Sequence, residues 1–163
     1  MSTKTKSPVP HKWRAKLEKE GVFKIEKLSP EAAAKMGGRT LAIPRPLDVD
    51  AEMRTVPKGK LITTTQIRTR LADKYGVEVT CPLCTGIFIR IAAETAEEDR
   101  TLGVARITPY WRVVKPDGKL NEKFPGGVVA QAEKLAAEGH AVTPGRGKQP
   151  PKVIEFEKRL VKD

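Results

Sequence analysis

The sequence predicts a mainly α-helical protein with a small β element, and three observations carry that prediction. Apolar residues recur at helical spacing in three stretches (Ile67, Leu71 and Tyr75; Ile87, Phe88, Ile91 and Ala92; Val129, Ala132, Leu135 and Ala136), each bounded by a capping residue, a proline or a glycine. The first two stretches follow one another across a short glycine-containing turn, which makes them a helix-turn-helix candidate. Strand-like patterning is confined to short runs such as Val104 to Thr108. A chain of 163 residues can hold one main domain with extensions. The division read here is a basic N-terminal extension over 1–55, partly disordered with short helices, a core domain over 56–142, and a basic linker and tail over 143–163.

Residues 1 to 10 are polar and proline-containing, the composition of a disordered arm. A short helix is expected over His11 to Glu20, with Trp13 and Leu17 on one side and Gly21 as its stop. Ser29-Pro30 caps a second helix that Gly37-Gly38 closes. Pro44, Pro46 and Asp48 make Leu41 to Val56 an extended connector. Thr63 to Thr65 offer the N-cap of the first core helix, which stops at Gly76. Pro82 opens the second after the short Val77 to Thr80 run. Gly126-Gly127 introduces the third, ending at Gly139. Pro144 to Pro151 is a basic linker, and the tail Val153 to Asp163 is compatible with either strand or helix.

Lys and Arg total 31 against 20 Asp and Glu, a net charge of +11, so a polyanion is the leading class of partner. No run approaches the roughly 20 apolar residues of a membrane span, and Met1 to Pro10 lacks a signal-peptide core; a cytosolic monomer, nucleoid included, is expected. Cys81 and Cys84 form one Cys-x-x-Cys, either a zinc half-site or a redox pair; with only His11 and His140 as further soft ligands, no metal or cofactor is expected.

Pro109-Tyr110-Trp111-Arg112-Val113-Val114 leads through a Pro116-Asp117-Gly118 turn into Phe124-Pro125-Gly126-Gly127. That order resembles the active-site strand and pocket loop of the O6-alkylguanine DNA alkyltransferases, in which Pro-Cys-His-Arg-Val-Val precedes a turn and an aromatic-Ser-Gly-Gly loop. Val56-Pro57-Lys58-Gly59-Lys60 resembles the family's Val-Pro-x-Gly-Lys opening, and Glu138-Gly139-His140 the end of its final helix. The resemblance covers about Val56 to Val142 and implies a winged helix-turn-helix like the C-terminal domain of those enzymes.

Such proteins place the second helix of the motif in the minor groove, push a side chain into the base stack, and rotate the modified guanine into a pocket beside the cysteine. Carried onto this chain, the base pocket falls on Tyr110, Trp111, Phe124, Pro125 and Glu138. The DNA-binding positions fall on Thr64, Thr65, Leu83, Cys84, Thr85, Arg90 and Arg112. The intercalating position falls at Leu83 or Cys84; Thr64 stands near the residue that helps rotate the target phosphate; Arg112 matches the arginine with which the family braces its strand. The nucleophile is replaced by Tyr110, a phenol protonated at neutral pH, and the histidine of the relay by Trp111, which can donate but not shuttle a proton.

The resemblance therefore implies a non-enzyme, like the alkyltransferase-like branch that binds alkylated double-stranded DNA, flips the base and marks it for repair proteins. Those proteins usually keep the histidine that Trp111 replaces here. A general DNA-binding or regulatory protein with a closed pocket is the alternative, and an alkyl transfer using Cys81, Cys84 or Tyr110 ranks below both. Relative to the family pattern the chain is about ten residues longer before Pro109, and Glu97, Glu98 and Asp99 in that insertion are expected on a loop that points away from phosphates or regulates access. Lys4, Lys6, Lys12, Arg14, Lys16, Lys19, Lys24 and Lys27 are either added phosphate contacts or a solvated arm.

Overall fold

The computed structural model describes residues 12–19 and 24–162 and is mainly helical, with three small sheets. The expected disordered arm over 1–10, and the helix limits His11, Glu20 and Gly21, lie outside the described residues. The first helix, α1 (Lys12–Leu17), buries Leu17 in the main core. Strand β1 (Lys24–Lys27) pairs antiparallel with β2 (Thr40–Ile43), and α2 (Pro30–Met36) sits between them in sequence, capped by Ser29 and stopped by left-handed Gly37 as expected.

The segment from Leu41 to Val56 departs from the extended connector that its prolines suggested. It carries β2, with Leu41 and Ala42 buried, and then α3 (Pro46–Arg54). Pro46 stands in the first helical turn, where a missing N–H costs nothing and a fixed φ favours the helix, so the proline starts an element rather than breaking one. Val49 and Met53 are fully buried against Ile62, Ile67, Leu71 and Ile89, so the core draws on both sides of residue 55.

After β3 (Ile62–Thr63), α4 (Thr64–Tyr75) begins with a reciprocal cap: Thr63 Oγ1 accepts the Gln66 N–H at 3.1 Å, and Gln66 Oε1 accepts the Thr63 N–H at 3.0 Å. Strand β4 (Val79–Thr80) adds parallel to β2, and α5 (Pro82–Thr101) follows. Two expectations for α5 are corrected. Its buried face runs through Thr85, Ile89, Ala92, Ala93, Ala96 and Asp99, leaving Ile87 on the solvent side. The acidic run at 97–99 is the continuation of this helix and not a loop.

The approach over 104–108 contains no strand; Tyr110–Arg112 form a 3₁₀ turn before β5 (Val113–Val114), which pairs parallel with β3. Helix α6 (Gly127–Ala137) buries Gln131 and Leu135, while Val129 and Ala136 are exposed. The expected basic linker at 144–151 is the tip of an antiparallel hairpin between β6 (Val142–Thr143) and β7 (Lys152–Val153). The tail is neither long strand nor α-helix: after β7 it makes a 3₁₀ turn over Phe156–Arg159 and docks, with Val153 and Phe156 in a second core cluster and the Val161 N–H donating to the Leu61 carbonyl at 2.8 Å. Phe156 lies so close to the Pro116-Asp117-Gly118 turn that a Cβ on Gly118, whose φ is +84°, would fall 2.4 Å from its ring.

Candidate nucleic-acid interface and base cleft

Tyr110 is held where the second half of α5, the 3₁₀ turn and the Phe124 loop converge. Its side chain is fully buried, its hydroxyl donates to Glu97 Oε2 at 2.9 Å, and its ring meets Trp111 and Phe124 edge-on, both at 5.4 Å between centroids. Burial, and then the Glu97 carboxylate, push the phenol well above its ordinary value. Burial alone would raise Glu97, but hydrogen bonds from Arg100, whose Nε donates at 2.8 Å, and from Tyr110 outweigh it and hold the carboxyl below its usual range. The result is a neutral phenol donating to an anion, the reverse of an activated nucleophile.

The residues matching the family's relay are committed elsewhere. Arg112 grips Glu138 with Nε to Oε1 at 2.9 Å and Nη2 to Oε2 at 2.8 Å, while its Nη1 donates to the Val56 carbonyl at 2.7 Å. The Arg112 guanidinium therefore ties the 3₁₀ turn to the end of α6 and to the backbone just after α3, and it is spent on this brace. Against the cost of burial, Arg112 holds the Glu138 carboxyl below its ordinary value; the Trp111 indole N–H adds a weaker favourable contact that falls short of a full hydrogen bond. Lys134 Nζ lies 5.2 Å from the Trp111 ring centroid.

Beside this packed centre lies an open cleft of about 340 Å³, lined by Glu97, Arg100, Tyr110, Pro125, Gly126 and Lys134 among others. Gly126 shapes one wall: its φ is +79°, and a Cβ there would fall 2.6 Å from the Ala130 Cβ at the first turn of α6. Phe124 is buried behind the wall, and Pro125 contributes no side-chain donor. Of the residues expected around a base, Tyr110 and Pro125 line this cleft; Trp111 borders a separate depression with Arg54, Arg106 and Arg112, and Glu138 lines neither.

The expected DNA-binding positions separate by burial. Leu83 is 74% exposed and Ile87 49%, and with Gly86 and Arg90 they form one solvent-facing stripe over the first turns of α5. Thr85, expected at the same surface, is turned inward, its hydroxyl donating to the Cys81 carbonyl at 2.7 Å. Cys84 is half-buried behind Leu83; Thr65 is exposed at the start of α4 and Thr64 half-buried. Arg68 Nε donates to the Thr80 carbonyl at 3.1 Å and Thr80 Oγ1 to the Arg68 carbonyl at 2.9 Å, which fixes α4 against the turn before α5.

The acidic residues near the end of α5 have a role that the sequence reading missed. Glu98 accepts the Trp13 N–H at 3.0 Å and the Arg14 N–H at 3.1 Å, and Asp99 pairs with the Arg14 guanidinium. One helix thus supplies, from 84 residues away, the cap for the first turn of another. The only hint in the sequence is that Trp13 and Arg14 lie in a basic segment while 97–99 are acidic. Among the described residues no three or more His, Cys, Asp or Glu gather to hold a metal, and no helix is long and apolar enough to cross a membrane.

No known protein family matches this chain, and no curated protein does. Among solved structures it is similar to S. pombe Atl1, crystallised in complex with damaged DNA containing O6-carboxymethylguanine. The match has 18% identity and a TM-score of 0.47, over 72% of this chain and 94% of that one.

Proposed function

We propose that this protein is a non-enzymatic DNA-binding protein of the alkyltransferase-like kind, which docks the Leu83–Arg90 stripe of α5 in the minor groove and offers the cleft beside Tyr110 to a rotated, modified base. The observation that carries the reading is the stripe itself. Helix α5 leaves two large apolar side chains and an arginine on its open face, on a chain of net charge +11. Leu83 suits a wedge that unstacks a base step, and Arg90 a phosphate contact. The cleft, bounded by an aromatic hydroxyl and by the Gly126 backbone, adjoins the loop that resembles the family's pocket loop. A repair-protein partner that reads the marked site completes the proposal.

A second reading, general DNA binding with a closed pocket, is favoured by one observation: Tyr110 and Phe124 fill the space behind the cleft, and the Glu97–Arg100 pair stands at its edge. Fluorescence anisotropy against matched duplexes carrying guanine or O6-methylguanine at one position, near physiological salt, separates the two. Tighter binding to the modified duplex by tenfold or more, about 1.4 kcal/mol, supports a damage reader. Equal binding supports the closed pocket, and binding to neither duplex refutes both.

A further inference from the structure

The Cys81-Pro82-Leu83-Cys84 turn is unused by the DNA reading, yet its geometry is specific. Cys81 is the N-cap of α5, and its sulfur accepts the Cys84 backbone N–H at 3.5 Å. The backbone of Cys81 is fixed from both sides: its N–H donates to the Ala42 carbonyl at 2.8 Å, and its carbonyl accepts the Thr85 N–H at 3.1 Å. Cys84 stands on the first turn of the helix, three residues on, and its thiol faces the Cys81 sulfur. Burial, and then hydrogen bonding to Cys81, push the Cys84 thiol up to about 11. Both side chains retain partial exposure, and the two residues between them are exposed, Leu83 the most of any large apolar residue among those described.

We propose that Cys81 and Cys84 form a reversible dithiol–disulfide site, oxidised by low-molecular-weight disulfides, that closes a ring around Leu83 at the tip of α5. The two sulfurs play different parts. The Cys84 thiol is the one that burial pushes up, so Cys81, whose sulfur already meets the Cys84 amide at the head of a 20-residue helix, makes the attack. It displaces one thiolate from the small disulfide and forms a mixed disulfide. The Cys84 sulfur, giving its proton to solvent, then attacks the Cys81 sulfur and expels the second small thiol. Two protein thiols are oxidised to one disulfide, and one small disulfide is reduced to two thiols. Because the β2 anchor and the helical turn already hold the pair together, closure needs little movement. The ring fixes the position of Leu83, so the oxidised and reduced forms present different tips of α5 to solvent. The site stands on the cysteine geometry alone and does not depend on the DNA reading.

The test equilibrates the full chain with glutathione buffers of increasing disulfide fraction, quenches by alkylation, and weighs the intact protein. The folded wild type is expected to lose two hydrogens with no glutathione retained, to regain them with dithiothreitol, and to close at least tenfold more favourably than the same chain in urea. Cys81→Ser and Cys84→Ser are each expected to stop at one glutathione adduct. Stable glutathione adducts on the folded wild type, two thiols that stay alkylatable in every buffer, or equal closure in urea would each overturn the proposal.

Discussion

Tyr110 donates its hydroxyl to Glu97, 13 residues earlier in the chain, across 2.9 Å of a half-buried junction between the 3₁₀ turn and the end of α5. Tyr110→Phe removes that donor and leaves Glu97 only Arg100, which is itself exposed. A loss of about 1–2 kcal/mol is expected, since the bond is to a charged acceptor in a half-buried setting. Urea unfolding of the two proteins measures it, and the variant should keep its fold because the ring contacts to Trp111 and Phe124 remain.

Restoring a thiol at this position should not restore alkyl transfer. In Tyr110→Cys the new side chain would have Trp111 beside it, which cannot take a proton, and Glu138 would still be clamped by Arg112. Incubation with a duplex carrying a labelled methyl group should leave the protein unlabelled. Stoichiometric labelling would contradict this account.

His140 is buried with neither ring nitrogen hydrogen-bonded, and burial, helped by Arg159, lowers its proton affinity below that of a free histidine. The unfolded chain then binds the proton more readily than the folded one, so stability rises with pH through this region and falls as pH drops below about 6.5. The Glu138 carboxyl, held low by Arg112, adds stability above about 4.3 that is lost as pH falls further. Urea midpoints between pH 8 and pH 5 should show the first decline, and His140→Gln should flatten it.

Helix α1 is held to α5 through Glu98 and Asp99, and Arg14 is the charged half of that attachment. Arg14→Ala leaves Asp99 buried without its cation, and a loss of about 1–3 kcal/mol is expected, less than for a fully buried pair because Arg14 is partly exposed. Hydrogen exchange should accelerate over α1 well before it changes in α4.

On the proposed docking face, Leu83→Ala should leave stability within about 0.5 kcal/mol of wild type, because the residue is exposed, yet weaken duplex binding about tenfold. Arg90→Ala should weaken binding evenly across sequences and reduce the salt slope by about 0.9. Anisotropy at three salt concentrations distinguishes the two effects; identical salt slopes for wild type and Arg90→Ala would remove Arg90 from the phosphate contacts.

Local signals announced the elements that obey local rules. The Ser29 and Thr63 caps, the stops at Gly37 and Gly76, and the start at Pro82 are all where their chemistry placed them. Tertiary contacts decided the rest. Pro46 reads as a breaker until Val49 and Met53 have a core to face. Glu97, Glu98 and Asp99 read as a solvated loop until Tyr110, Trp13 and Arg14 arrive from distant sequence to use them. Around the candidate site, Tyr110, Pro125 and the bracing Arg112 could be picked out from the chain, but the inward turn of Thr85 and the capture of Glu138 by Arg112 needed the fold.

The docking of residues 153–161 onto Leu61 and the Gly118 turn bears on the order in which a ribosome delivers this chain. Phe156 and Val153 belong to the second core cluster, and Leu61, just before β3, takes its outer backbone partners from Arg159 and Val161. While those residues are still inside the exit tunnel, Leu61, Val114 and Leu120 lack the Val153 and Phe156 side of their cluster. That flank of the second cluster therefore stays uncovered until residues 153–161 have left the tunnel.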